Sequence, residues 1–513
     1  MESASIVLFG ATGDLAQRKI YPALYNLFLD GMLPSPFLLV GLGRKPLNDE
    51  TFRERVEQSV RRFSRRGADR SASIEAFARM FRYSVLDVGR EEDYRKLLGL
   101  IESREAELGM APNRLFYLSV GPEHFETIAA GIRSSGLGDA NGWKRLVIEK
   151  PFGHDLASAR RLNDVLRQAF AEEEIYRIDH YLGKPMVQKL EGLQQTNPVI
   201  RALWSNRYVA NVQITANETV GVEERAGYYD RAGAVRDMFQ NHMLQLLMMV
   251  AAHLPSDSTP EQSRLKKKKV LEALEPLHKS TVSASVVRGQ YAAGVVNGLP
   301  VFGYRSEPGI APDSTNDTFI AAKLQIDDVF WRGVPFYIRT GKRLKEKSTR
   351  IVVEFKEPIK SAAPANGNGK APNLLVVEIG PNESISLRLN TRDPKRRGAF
   401  KPIRIDFHED GGDAPEAYES LIHDALRGDP TFFAHWDEVE LSWQWVQPVL
   451  DAFRENLAPL HPYEAGSYGP AASDALLAQD GFHWWFDGEN EDRTNEEETK
   501  ARKEESYAHY ASH

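Results

Sequence analysis

The N-terminal stretch narrows the possible folds most. Ser5-Ile6-Val7-Leu8-Phe9 is a short apolar run, the mark of a strand buried in a parallel sheet. Gly10-Ala11-Thr12-Gly13-Asp14-Leu15-Ala16 follows at once. Residues 16–30 then have helical character up to Gly31, a suitable residue just past a helix end. Strand, glycine turn and helix are the context that a dinucleotide-binding turn requires. Gly10 permits the tight turn, Gly13 lets backbone N–H groups approach a pyrophosphate, and Ala16 permits close packing of helix on strand. The spacing is G-x-x-G-x-x-A rather than G-x-G-x-x-G, so an ordinary strand-to-helix turn satisfies it too.

A second apolar run, residues 37–40, leads into Gly41-Leu42-Gly43-Arg44-Lys45. In a nicotinamide-binding sheet the end of this strand reads the adenosine ribose. An acid there would accept from a 2′-hydroxyl. Two cations and no acid suit a 2′-phosphate, and therefore NADP; the alternative is a solvated basic turn. Arg44 is a better candidate than Lys45 because a guanidinium contacts phosphate in bidentate fashion. Residues 50–70 predict an amphipathic helix with a solvated, Arg-rich face. Further strands are predicted over residues 81–88, with Asp87 at the tip, over 115–120 and over 145–149. The last runs into Glu149-Lys150-Pro151-Phe152-Gly153. That places a lysine at the carboxyl end of a parallel strand, where ligands bind in such sheets. Strands and helices alternate to about residue 176, as in a doubly wound sheet.

Arg177-Ile178-Asp179-His180-Tyr181-Leu182-Gly183-Lys184 comes next and is chemically the densest stretch of the chain. His180 and Lys184 suit a dianion. Pro185 favours the first turn of a helix, whose free N–H groups would point back at the same place. Asp179 sits among these donors and cannot bind a phosphate; it is better suited to orient a histidine from elsewhere. The competing reading of the octapeptide is a charged loop between domains.

The chain has 513 residues, which calls for two domains or more. After Lys184 the pattern changes. Residues 208–218 predict a long strand with Val212, Ile214 and Ala216 on one face and Glu218 at its end. Residues 236–252 predict a helix. Its start carries Asp237, Gln240, Asn241 and His242; its remainder is apolar and reads as core. Strands over 318–326, 335–339, 351–355, 374–379 and 385–390 follow at hairpin-like spacing and imply one large, mostly antiparallel sheet. The basic loop between two of them, with Lys342 and Lys347, is placed to reach an anionic ligand. Residues 361–373 read as a loop, 417–426 and 443–456 as helices, and 489–513 as a charged, disordered tail. The expected architecture is thus α/β plus α+β. A Rossmann-like doubly wound domain spans 1–177, and an α+β domain with the large sheet spans 178–488.

Composition removes several function classes. A net charge of −7 argues against nucleic-acid binding. The absence of cysteine excludes disulfides, thiolate metal sites and a cysteine nucleophile, and is compatible with a reducing cytoplasm. No stretch approaches the roughly twenty apolar residues of a membrane span, and no signal peptide is visible.

Five stretches together resemble the glucose-6-phosphate dehydrogenase family: residues 10–16, 149–153, 177–184, Arg236-Asp-Met-Phe-Gln-Asn-His242 and Val334-Pro-Phe-Tyr-Ile-Arg-Thr-Gly-Lys342. The similarity runs from the first strand to roughly Gly481. It implies oxidation of glucose 6-phosphate at C1 to the lactone, with hydride transfer to NADP and no metal. By the same resemblance His242 is the general base and Asp179 its partner. His180 and Lys184 hold the 6-phosphate, with Tyr181 beside them and Lys347 in reach. Glu218, Asp237 and Lys342 hold the sugar, and Lys150 touches both substrate and nicotinamide. Gly10, Ala11, Thr12, Gly13, Asp14, Leu15, Gln17, Arg44 and Asp87 bind NADP. Gly380 stands where some members have a substrate-contacting Gln. Animal members line a second NADP site with basic residues; Ser348, Val352 and Glu378 at the matching positions count against that site here. A homodimer through the large sheet, or a tetramer, is implied. The alternative is a catalytically inactive NADP-binding relative acting as a redox-sensing or regulatory protein, which would need a broken Asp179–His242 dyad.

Overall fold

The computed structural model describes residues 1–66, 71–255, 257–356, 371–396, 399–407 and 414–487. Most of the loop expected over 361–373, and all of the charged tail expected over 489–513, lie outside the described residues.

Six strands form the first sheet: β1 (Ala4–Phe9), β2 (Phe37–Gly43), β3 (Phe81–Val85), β4 (Arg114–Leu118), β5 (Lys144–Glu149) and β6 (Ile175–Ile178). All are parallel, in the order β3-β2-β1-β4-β5-β6. The direction of winding reverses between β1 and β4, which opens a crevice at their carboxyl ends. β1 is buried along its whole length because helices cover both faces. One face packs on Leu97 and Ile101 of Glu91–Glu107 and on Phe125 and Ile128 of Phe125–Ser134. The other packs on Leu24 and Leu27 of Tyr21–Leu29. Leu421 and Leu426 of the helix Ala417–Arg427 join that second core, so a late segment of the chain completes the first sheet. The helix expected over 50–70 runs only over Asp49–Phe63, capped by Asn48, and a separate helix, Ser71–Ala78, comes after the expected range. The strand expected over 81–88 stops at Val85, so Asp87 lies in the exposed turn beyond it.

The second sheet uses β7 (Val209–Asn217), β8 (Val286–Ala292), β11 (Phe319–Leu324), β12 (Phe336–Gly341), β13 (Ser348–Phe355), β14 (Leu374–Gly380), β15 (Ser384–Arg392), β16 (Phe400–Phe407) and β17 (Leu460–Glu464); β9 (Gly294–Val296) and β10 (Leu299–Val301) pair separately. Its order is β16-β15-β14-β13-β7-β12-β11-β8-β17. Only β7–β12 and β8–β17 run parallel, so the sheet is mixed and mostly antiparallel. β16 and β17 are the two edges and contain Pro402 and Pro462, which an edge tolerates. Those prolines hid both strands in the sequence. Val212, Ile214 and Ala216 face the core on one side of β7, as the alternation predicts.

The helix expected over 236–252 has an unexpected form. Val235–Met243 is a π-helix, and Leu244–Ala251 continues it as an α-helix buried on every side. The start is fixed by Gly233 at φ +66, where an added Cβ would meet Asp317 Oδ1 at 2.7 Å. Val235 N–H donates to Asp317 Oδ2 at 3.0 Å, and Ala234 N–H donates to the Asp317 carbonyl at 3.0 Å. Asn241 then patches the widened turn, donating to the Arg236 carbonyl and accepting from the His242 N–H. A π turn closes between residues five apart, so Asp237 and His242 are brought to one face.

Candidate active site

Three chain segments meet where the two sheets join: the loop after β6, the π-helix and the turn after β5. Asp179 follows β6 directly. Its Oδ1 lies 2.5 Å from His242 Nδ1 and also accepts the Tyr181 N–H at 2.9 Å. His242 is fully buried, and Asp179 is 3% exposed. His242 Nε2 and Asp179 Oδ2 have no hydrogen-bond partner among the described residues. With Nδ1–H donated to the carboxylate, the lone pair of the imidazole is on Nε2. Burial favours the neutral imidazole and lowers the His242 pKa, although Asp179 opposes this. Burial alone would raise Asp179; the neighbouring histidines and the Tyr181 amide outweigh it and bring the carboxyl to about 2. At neutral pH the pair is therefore carboxylate and neutral imidazole.

Asp179, His180 and His242 each bring a donor atom to within 4.8 Å of the others, a spacing that also suits a metal ion. Here the Asp179 oxygen is already used by His242 and by the Tyr181 amide, so the group is organised as a hydrogen-bonded dyad.

A cavity of about 300 Å³ opens beside the dyad, lined by His180, Tyr181, Lys184, Glu218, Lys347, Thr349 and Gly380 among others. Lys184 is the residue that begins the helix Pro185–Thr196, with Pro185 in its first turn as the sequence predicts. Burial lowers the Lys184 pKa, and Lys347 adds to the effect. His180 is brought to about 3, first by burial and then by His242. In the free protein His180 is thus a neutral donor, not the cation that its place in the octapeptide suggests.

The sugar-facing candidates form two pairs. Lys342 Nζ donates to Glu218 Oε2 at 2.6 Å. Lys150 Nζ donates to the Asp237 carbonyl at 2.6 Å and lies 3.5 Å from Asp237 Oδ1. Tyr228, which nothing in the sequence singled out, donates to Asp237 Oδ1 at 3.3 Å. Thr349 was also missed, since a threonine in a strand carries no chemical signal of its own.

The cofactor candidates sit at the other end of the crevice. Gly10 has φ +78, and a Cβ there would lie 2.1 Å from the Ser119 carbonyl, so only glycine fits the turn. Ala11, Thr12, Gly13, Asp14, Leu15 and Gln17 continue it, and Gln17 Nε2 braces the Thr12 carbonyl at 3.0 Å. Arg44 and Lys45 are exposed just past β2. Asp87 is exposed past β3 and accepts from Gly89 N–H at 3.0 Å.

The sequence matches the family description "Glucose-6-phosphate dehydrogenase, NAD binding domain" over residues 7–189 and "Glucose-6-phosphate dehydrogenase, C-terminal domain" over residues 192–485. It is 48% identical over 485 residues to glucose-6-phosphate 1-dehydrogenase of Bacillus subtilis strain 168, covering 94% of this chain and 98% of that one. The chain belongs to the glucose-6-phosphate dehydrogenase family. The fold agrees: a glucose-6-phosphate dehydrogenase solved in complex with its substrate glucose 6-phosphate superposes with a TM-score of 0.87 at 34% identity, covering 94% of this chain and 98% of that one. The Mycobacterium avium glucose-6-phosphate 1-dehydrogenase gives 0.80 at 32% identity, covering 95% and 100%. As a member of this family the chain is an oxidoreductase and its cofactor is NADP. The crevice fits that cofactor: a glycine-only turn follows β1, and two exposed cations follow β2. The inactive-relative alternative is not supported, because the Asp179–His242 dyad is whole.

Proposed function

We propose that His242 is the general base, that Asp179 fixes it, and that Lys184, His180 and Lys347 receive the substrate phosphate. The reaction is oxidation of D-glucose 6-phosphate at C1 to 6-phospho-D-glucono-1,5-lactone with NADP, the first oxidative step of the pentose phosphate pathway. NADP, when bound, supplies the hydride acceptor. Gly10, Ala11, Thr12, Gly13, Asp14, Leu15 and Gln17 would hold its pyrophosphate, Arg44 its 2′-phosphate, Asp87 its adenosine end and Lys150 its nicotinamide end.

His242 Nε2 takes the C1 hydroxyl proton. The imidazolium that results is stabilised by the Asp179 carboxylate at Nδ1. A neutral imidazole is suited to this near pH 7. Lys184 and Lys347 face the 6-phosphate as cations, and His180 donates to it through a ring N–H. Glu218, Asp237 and Lys342 orient the sugar hydroxyls, while Lys150 and Asp237 hold the reacting carbon near the base.

One observation carries this reading: a fully buried histidine has one nitrogen tied to a carboxylate and the other left without a partner among the described residues. Asp179→Asn tests it. The neutral amide no longer stabilises the imidazolium, and where it turns to donate to Nδ1 it forces the proton onto Nε2 and removes the lone pair. kcat should fall by roughly 10²-fold or more, with glucose 6-phosphate affinity nearly unchanged. Wild-type kcat in this variant would overturn the assignment.

The same reading divides the chain into a cofactor domain at 1–177 and a substrate domain at 178–488. It takes a cytoplasmic homodimer as the working unit. Support comes from Ile405 and Phe407, which the edge strand β16 leaves exposed, and from the absence, among the described residues, of any helix long and apolar enough to cross a membrane.

A further inference from the structure

Tyr181 touches more of this site than its place beside a phosphate requires. Its ring stacks on the His242 imidazole, with centroids 4.4 Å apart and planes 20° apart. Its main-chain N–H shares Asp179 Oδ1 with His242 Nδ1. The Lys184 ammonium lies 3.9 Å from the ring centroid. Thr349, on β13 of the second sheet, lines the same cavity as Tyr181. Tyr181 is 7% exposed, so its ring shields the face of the buried imidazole from water.

We propose that Tyr181 is a positioning residue that sets the plane of the His242 imidazole and keeps water from it. The inference rests on His242 being the base. An imidazole tied only at Nδ1 can still swing about that hydrogen bond. A flat ring laid on its face removes that freedom, because offset-stacked rings prefer a narrow range of geometry. The Tyr181 N–H on Asp179 and the Lys184 ammonium over its ring hold the flat ring in place. Misplacing a reacting group by about 1 Å costs roughly 10²-fold in rate, so the orientation has consequences.

A phosphate ligand and a positioning residue predict different kinetics. Free glucose has no phosphate to lose. If Tyr181 acts on the base, Tyr181→Leu lowers kcat by the same factor, roughly tenfold to a hundredfold, on glucose and on glucose 6-phosphate. It also moves the acid limb of the kcat/KM pH profile. Burial holds the His242 pKa below its usual value, so admitting water raises it, and the limb moves to higher pH. The charged groups around His242 are Asp179, Lys150 and Asp237, with His180 edge-on at 4.5 Å, and the substitution leaves all four in place. A rise in KM for glucose 6-phosphate alone, with kcat on glucose and the acid limb unmoved, overturns the proposal.

A milder variant keeps the test independent of folding. Tyr181→Phe removes the hydroxyl and keeps a ring on His242. Its kcat on free glucose should stay within a few-fold of wild type, and its acid limb should not move. A loss as large as that of Tyr181→Leu overturns a role for the stacked ring. His242→Asn, assayed in parallel, separates failure of this inference from failure of the base assignment: unchanged turnover there removes the base whatever Tyr181 does.

Discussion

Lys342 Nζ lies 2.6 Å from Glu218 Oε2, and each satisfies the other before any sugar arrives. β7 and β12 run parallel, with Asn217 opposite Gly341, so the next residue of each strand leaves the sheet beside the other. On the proposed assignment, sugar hydroxyls insert into an existing ion pair. Glu218→Gln should raise KM for glucose 6-phosphate by about tenfold, the effect of one charge-assisted hydrogen bond, and change kcat less. Steady-state kinetics check this; an unchanged KM would remove Glu218 from the sugar site.

The phosphate subsite makes an asymmetric prediction. Lys184→Ala removes a cation and should raise KM for glucose 6-phosphate by about tenfold or more. His180→Ala removes a neutral donor, since burial keeps that imidazole uncharged, and should cost less. Neither should alter KM for free glucose. Equal losses on both sugars would contradict the assignment.

The proposed 2′-phosphate contact lies where β2 ends. Arg44 offers a 2′-phosphate a charge-assisted contact and offers a 2′-hydroxyl no acceptor. Arg44→Ala should raise KM for NADP by about tenfold or more while leaving KM for NAD nearly unchanged. Equal damage with both cofactors would place Arg44 at the fold or the shared pyrophosphate instead.

Glu149 ends β5, next to Lys150, and accepts the Tyr117 hydroxyl at 2.7 Å. Burial pushes its carboxyl from 4.5 up to about 7, against the hydrogen bonds from Tyr117 and Tyr418. The folded state therefore holds this proton more tightly than the unfolded chain. The resulting stability is complete below about 4.5 and is lost as the pH rises through about 7. Glu149→Gln cannot titrate. The Tm difference between wild type and variant should fall across that window and then stay level, as thermal melts at several pH values would record. A difference independent of pH would contradict the buried acid.

Much of this site was legible because its residues are out of place chemically. Asp179 among phosphate donors could only serve another group, and the structure pairs it with a histidine 63 residues away. That partner was not legible from spacing; only the family resemblance pointed to His242. The register of its helix was hidden as well. The apolar pattern of residues 236–252 fits an ordinary helix, whereas the π turn is imposed from outside by Gly233 and Asp317. The parallel sheet was readable because apolar strands alternate with helices. β8 was not, because Arg288 and Gln290 are buried within it and break the pattern. The pairing of Lys342 with Glu218 and the stacking of Tyr181 on His242 depend on how the two sheets meet, which no local pattern encodes.

The central proposal is that the free Nε2 of His242 removes the C1 hydroxyl proton while the C1 hydrogen leaves as hydride. Steady-state kinetics of His242→Asn on glucose 6-phosphate and NADP test it most directly. The expected result is a loss in kcat of at least roughly 10²-fold with KM for glucose 6-phosphate within a few-fold of wild type. Near-normal kcat in this variant would contradict it.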